Sequence, residues 1–459
     1  MLVIVAAAVV SACITPHFRH LEHVEDVQRV LAKQTTREGV RDKLGPPGIV
    51  DTPQLYVYDW EKAKALAWGY YSMAPLGHTG TRALFVFDED GHIARSEIVG
   101  TGQGEKGNTG SVVADLSKAA AAPPPSKECA DKSAVGAWFV GAEPRLILQL
   151  TKGIRVCDAS GSRVIANLPK QYMGFTPSPD GRFAAAWNKE KSLMLRDGST
   201  LELLWLLEPP SPVGMSVARW GAAISFSADG SRLAAQLGSH GVAVYDTATG
   251  DTVLRMAGRW SPYLSPDGKL LVSKAKTGAY VTEVDTGRDI AERPLPEYPY
   301  GISNNASLAR MLLVRLGTVA FSGDGRRLAT ASCAHAEVWD LATMLSSNSK
   351  RGLEDAFLLP FSNVFGVCVA SVAFSSDGST LAVTNEGTVT LYDLVEHRIE
   401  GSYALPVIAI YPSFTSDLTR AAFLAPAGTL IWEVGKVVPP TSVEKPTPPP
   451  EIVGPLGAL

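Results

Sequence analysis

The chain has no excess of basic charge: 42 Lys and Arg stand against 46 Asp and Glu, a net charge of −4, with no basic cluster. A nucleic-acid partner would have no electrostatic footprint to follow, which excludes that class. The residue patterns of common catalytic and metal sites are missing too. No CxxC pair, HExxH helix, Walker loop, G-x-S-x-G elbow or paired-cysteine zinc pattern occurs. The five cysteines, at 13, 129, 157, 333 and 368, are scattered without metal spacing. Cys13 aside, they read as small core residues of separate strands, and no disulfide is expected. The opening run MLVIVAAAVV is too short for a membrane span, which needs about 20 apolar residues. The 459 residues, 46% apolar and 19% charged, still suffice for two globular domains.

What the chain does have is a repeat. SPDGRFAAAW (178–187), SADGSRLAAQL (227–237), SPDGKLLVS (265–273), SGDGRRLATAS (322–332), SSDGSTLAVT (375–384) and the degenerate TSDLTRAAFL (415–424) share one plan, a polar turn before a small, apolar strand. Asp180-Gly181, Asp229-Gly230, Asp267-Gly268, Asp324-Gly325 and Asp377-Gly378 are read as two-residue hairpin turns, Gly supplying positive φ and Asp tolerating it. Their role is structural. A second landmark follows each turn, an apolar strand ending near an aspartate: Tyr245-Asp246, Trp339-Asp340 and Tyr392-Asp393, with Cys157-Asp158, Val284-Asp285 and Ile431-Trp432 as weaker copies. Successive turn aspartates, Asp417 included, lie 49, 38, 57, 53 and 40 residues apart. The short intervals suit a four-stranded blade of roughly 40–45 residues, the long ones a blade with an insertion.

These repeats resemble bacterial WD-repeat β-propellers over residues 134–436, although the Gly-His opening of the eukaryotic repeat is absent. The expected fold is mainly β. It is a seven-bladed propeller with blades at 134–170, 171–210, 220–257, 258–296, 297–350, 365–404 and 405–436; six or eight blades are the alternatives, because 297–317 blurs the fifth. The last blade offers only three strands before prolines 439 and 440. The linker run SVVADL (111–116) is therefore expected to pair with TLIWEV (429–434) and close the ring.

The N-terminus carries a different signature. Val10-Ser11-Ala12-Cys13 follows a short apolar core and resembles the lipobox of bacterial lipoproteins, although no Lys or Arg precedes that core. The resemblance implies a signal peptide (1–12), lipidation of Cys13 and a tether (13–23). Ile14 after the cysteine implies export to the outer membrane, facing the periplasm. Residues 24–99 read as a small α+β domain. VEDVQRVLAKQ and GVRDKLG are its helices, the second capped at Thr35–Glu38 and stopped at Gly45. Strand-like LYVYDW (55–60), KALAWGYYS (64–72) and the hairpin RALFVFDEDGHIARSEIV (82–99) follow, and a three-stranded antiparallel sheet is expected from this region. Thr36–Val40, Leu44–Pro47, Tyr56–Trp60 and Phe87–Gly91 resemble the SmpA/OmlA-type domain of outer-membrane assembly lipoproteins, which implies a docking or tethering module. A Gly/Ala/Pro-rich linker (100–133) and a Pro-rich tail (437–459) complete the chain.

Chemistry finds little support. His17, His20 and His23 belong to the tether, His240 and His335 to exposed turns, and Asn188, Asn304, Asn305 and Asn385 to turns or loops. No catalytic residue, metal ligand or cofactor is expected. The reading is a non-catalytic envelope lipoprotein that binds other envelope proteins through its propeller, with the membrane reached through the lipid anchor. The alternatives are a propeller hydrolase or lactonase with a channel-bound metal, and a carbohydrate- or peptide-binding sensor.

Overall fold

The computed structural model describes Val27, most of residues 36–100, residues 120–121 and most of 129–434. The expectations for Cys13, the three tether histidines, 111–116, 297–317, Cys333, Cys368, Asn188, Asn304, Asn305 and the tail lie outside the described residues, as does all of the first expected helix except Val27.

Helix α1 (Arg37–Leu44) starts where the sequence places it. The Thr36 hydroxyl accepts the Gly39 N–H at 3.1 Å, and Gly45, at φ 78°, turns the chain out while bonding the Arg41 carbonyl. Its buried Val40 and Leu44 lie four residues apart on one face. Strands β1 (Val50–Asp51), β2 (Leu55–Asp59), β3 (Thr81–Phe87) and β4 (Ile93–Gly100) form an antiparallel sheet in that order. The sheet has four strands rather than three, and 64–72 is not one of them. Leu66–Gly69 pairs with Ser72–Pro75, and Lys62–Ala63 with His78–Thr79, so this run satisfies its backbone locally. That leaves β2 free to pair directly with β3, Tyr58 opposite Ala83. Alternation along the strands gives the sheet two apolar faces. Tyr56, Tyr58, Ala83, Phe85 and Phe87 pack under α1, while Leu55, Val57 and Leu84 face the other way.

Among the described residues seven antiparallel sheets follow in chain order. The first is Ala134–Val140, Arg145–Leu150, Gly153–Asp158 and Gly161–Ala166. Met173–Pro177, Phe183–Trp187, Leu193–Asp197 and Leu203–Leu207 make the second. Ile224–Phe226, Arg232–Gln236, Val242–Asp246 and Thr252–Met256 make the third. The fourth is Trp260–Leu264, Leu270–Lys274, Gly278–Glu283 and Asp289–Pro294. The fifth is Val319–Phe321, Arg327–Ala331, His335–Asp340 and Leu353–Leu358. The sixth holds Ala370–Phe374, Thr380–Asn385, Thr388–Asp393 and Arg398–Ala404. The seventh has three described strands, Ile410–Phe414, Arg420–Ala425 and Gly428–Glu433. The fifth sheet extends past the expected limit of 350, because helix α2 (Leu341–Ser346) separates its third strand from its fourth.

Each sheet buries one face against the next. The small strands make this packing close: Ala185 and Leu195 of the second sheet meet Leu233 and Tyr245 of the third, and Ala329 and Phe357 of the fifth meet Leu381 and Tyr392 of the sixth. The seventh sheet returns to the first, Ala422, Leu424 and Ile431 packing on Ala137, Leu146 and Leu148. Ser413 also accepts the Phe139 N–H across that seam.

The chain entering the ring straps this closure. Strand β5 (Ala120–Ala121) pairs in parallel with Tyr403 and Ala404 on the outer strand of the sixth sheet. Further on, the Asp131 carbonyl accepts the Thr429 N–H of the seventh sheet, and the Asp131 carboxylate takes Arg155 of the first at 2.9 Å. Cys129 and Cys157 form a disulfide between strap and first sheet, contrary to the sequence expectation. Their separation of 28 residues hid their nearness: Cys129 and Asp131 of the strap reach Cys157 and Arg155, both on the third strand of that sheet.

Candidate interaction surfaces

Both repeat landmarks sit at one end of the ring. The turns are four-residue loops rather than two-residue hairpins: Ser178 N–H bonds Phe183 O, and Gly181 N–H bonds Ser178 O. Only the glycine takes positive φ, from 67° to 75° at Gly181, Gly230, Gly268, Gly325 and Gly378. The aspartate instead works through its side chain. In the sixth sheet Asp377 Oδ1 accepts the Ser375 hydroxyl at 2.6 Å and the Ser379 N–H at 3.0 Å, and Ser375 Oγ accepts the Thr380 N–H at 2.9 Å. Asp180, Asp229, Asp267, Asp324 and Asp417 repeat this arrangement. Donated hydrogen bonds, the Ser375 hydroxyl foremost, hold the Asp377 carboxyl down at about 2.

The second landmark caps the turn between third and fourth strands. Asp246 accepts Ala248 and Thr249 N–H, Asp340 accepts Thr343 N–H, and Asp393 accepts Val395 and Glu396 N–H. Asp197 does the same for Ser199 and Thr200 and was missed, because Arg196 stands before it where the other copies carry an apolar residue. Tyr245, Trp339 and Tyr392 fill the seams between sheets. Neighbouring loops then bond one another. Gly141 N–H reaches Pro179 O, Ala228 N–H reaches Pro266 O, Ser376 N–H reaches Ser416 O, and the Arg327 guanidinium reaches Gly378 O. Arg182 likewise bonds the Asp229 carbonyl. These bonds tie neighbouring sheets together along this rim.

The outer wall is different. Leu353, Ala356 and Leu358, on the outer strand of the fifth sheet, pack against Leu55, Val57, Leu84 and Val86 of the N-terminal sheet. That sheet is therefore covered on both faces, by α1 and by the ring. Burying each large aliphatic side chain here is worth about 1.5–3 kcal/mol. Polar groups fix the register. Glu97 Oε2 accepts the Leu358 N–H at 2.8 Å, and Arg82 donates to the Leu359 carbonyl. Arg95 Nη1 lies 2.6 Å from the buried Asp355 carboxylate and donates to the Tyr392 hydroxyl at 3.1 Å. His397 Nδ1 lies 2.8 Å from the other Asp355 oxygen. Tyr392, read from sequence as a repeat landmark, thus also serves the docking seam, its ring stacked on Phe357 at 3.9 Å.

A cleft of about 70 Å3 opens between the fourth and fifth sheets, lined by Tyr263, Lys274, Tyr280, Glu292, Trp339 and Met344 among others. Burial pushes the Lys274 ammonium down to about 8 and the Tyr263 hydroxyl up to about 12. Beside it, Glu337 bridges His335 Nε2 at 2.7 Å and the Trp339 indole N–H at 3.0 Å. His335 is thus buried in a strand, not exposed in a turn; the paired carboxylate makes that burial affordable. His240 is exposed. Among the described residues no cluster of three or more His, Cys, Asp or Glu could hold a metal ion, and no helix is long and apolar enough to cross a membrane.

No family model matches this chain, and no curated protein does. Solved structures do. The crystal structure of the β-propeller domain of Cps50 (Swd1) from Myceliophteria thermophila matches with a TM-score of 0.51 at 14% identity, over 68% of this chain and 99% of that one. A structure of the mitotic checkpoint complex matches with a TM-score of 0.48 at 12% identity, over 73% and 97%. The likeness to the first shows the fold: the ring of sheets is a β-propeller.

Proposed function

We propose that this protein is a non-catalytic interaction scaffold, a seven-bladed propeller of WD-repeat type that holds protein partners on its wall and on the rim opposite the aspartate turns. The observation that carries this reading is the seam at Leu353–Leu358, where the propeller wall already holds a second folded unit through apolar contact and ordered polar pairs. The turn residues Asp180 to Gly378 and the aspartates ending the third strands hold the ring itself. Partners are left the wall and the rim where chain leaves one sheet for the next. In this reading residues 24–99 are the SmpA/OmlA-like tethering module, and Cys13 carries a lipid that places the protein in a bacterial envelope, at the outer membrane and facing the periplasm. The Cys129–Cys157 disulfide supports that placement, since such bridges persist in oxidising compartments. Cys13→Ser is expected to move the protein from the detergent-extracted membrane fraction to the soluble periplasm; unchanged partition contradicts the anchor.

The cleft between the fourth and fifth sheets favours a second reading, a sensor that takes a peptide or carbohydrate side group between Tyr280 and Trp339. Metal analysis and a hydrolase screen on the purified full chain separate both readings from a propeller hydrolase. Stoichiometric metal with turnover would replace the scaffold.

A further inference from the structure

The docking seam gathers more ionisable groups than apolar contact requires. We propose that this docking is controlled by a proton: the N-terminal sheet is latched on the fifth and sixth sheets while the Glu97 carboxyl is protonated, and loosens when it ionises. The geometry sets a charge conflict. Two carboxylates, Glu97 on β4 and Asp355 on the fifth sheet, flank one guanidinium, Arg95, with side chains 14%, 3% and 26% exposed. Arg95 is already committed to Asp355 at 2.6 Å and stands 3.6 Å from Glu97. Among the described residues, the other polar groups facing this knot are the Tyr392 hydroxyl, His397 against Asp355 Oδ2, and Arg82 of β3, which donates to the Leu359 carbonyl. An ionised Glu97 would therefore place a second negative charge, partly paired at best, inside an apolar seam. A protonated one keeps its hydrogen bond from Leu358 at no charge cost.

Burial agrees with this, raising the Glu97 carboxyl from 4.5 to about 7 against the opposing pull of Arg95. The sign follows from linkage. A group whose pKa is raised in the docked state favours docking fully below its free value of 4.5, and that advantage is lost as pH rises to about 7. Release would bare Leu353, Ala356 and Leu358 on the wall and Leu55, Val57 and Leu84 on the sheet.

Hydrogen exchange of the full chain tests the latch, read at peptides covering 84–98 and 353–358 and corrected for intrinsic rates. Between about pH 5.5 and about pH 8, exchange at both peptides is expected to rise at least about tenfold with a midpoint near 7, while peptides of the second and third sheets stay unchanged. Glu97→Gln keeps the Leu358 acceptor and cannot ionise, so its protection should persist at the higher pH. Asp355→Asn frees Arg95 for Glu97 and should move the midpoint to lower pH. Wild-type exchange that is flat across the range, or a pH loss retained in Glu97→Gln, or an unmoved midpoint in Asp355→Asn, overturns the proposal.

Discussion

At the scale of single residues, each turn of the propeller divides its work between a glycine conformation and an aspartate side chain. A Cβ at Gly378 would meet only ordinary contact, Ser322 Cβ at 3.8 Å, so Gly378→Val costs chiefly the left-handed conformation, about 1–3 kcal/mol. At Gly268 the same atom meets Arg232 Cγ at 2.7 Å, so Gly268→Val should lower the melting temperature further. Partner binding by the surviving fold should be intact in both, and selective loss of binding at normal stability would show the turns to be a site. The natural exception is Leu418, which holds φ 57° in the degenerate turn and offsets that strain with a buried side chain. Asp377 makes a pH prediction of the opposite sign to Glu97. Its carboxyl is held down at about 2, so its contribution is present above the ordinary carboxylate range and lost as pH falls through that value. Urea midpoints should fall in acid for the wild type and less steeply for Asp377→Asn; parallel acid profiles would contradict this.

At the scale of strands and straps, closure of the ring depends on chain outside the seven sheets. The seventh sheet presents three described strands, and the strap compensates by gripping the sixth, seventh and first in turn. The disulfide closes a loop of 28 residues, so Cys157→Ser should cost about 3 kcal/mol, read as a lowered urea midpoint, and reductant should lower the wild type to the same level. No change with either would mean that the bridge does not hold the closure. Elements of this kind mark the limit of what the sequence made legible. Strands, turns and the α1 caps were readable because alternation, Asp-Gly spacing and a Thr cap are local. The register of the strap was not, since its partners lie up to about 300 residues away and Ala120–Ala121 carries no strand signal. Pairing was expected for 111–116 on 429–434; that segment lies outside the described residues, and the described pairing is 120–121 on the sixth sheet. The missed fourth strand of the fifth sheet, Leu353–Leu358, has a local cause instead: α2 breaks the repeat rhythm before it.

At the scale of the whole molecule, the propeller and the N-terminal unit share a seam that composition could not foretell, because LEDAFL lies outside the expected blades and LYVYD reads as an ordinary strand of the small sheet. The seam shows how the wall can hold a folded partner: an aliphatic patch beside a buried ion pair. A comparable apolar strand lies on the second sheet, where Leu203, Leu204 and Leu206 are nearly half exposed. Partner contact is the central claim, and it can be read in living cells with photo-crosslinking residues placed singly at Leu204, at Leu206 and, as an interior control, at Leu195. The account predicts discrete adducts to the same protein or proteins from the exposed positions and none from Leu195. Absence of protein adducts from every exposed position, in a protein shown to be folded and at its natural abundance, would contradict it.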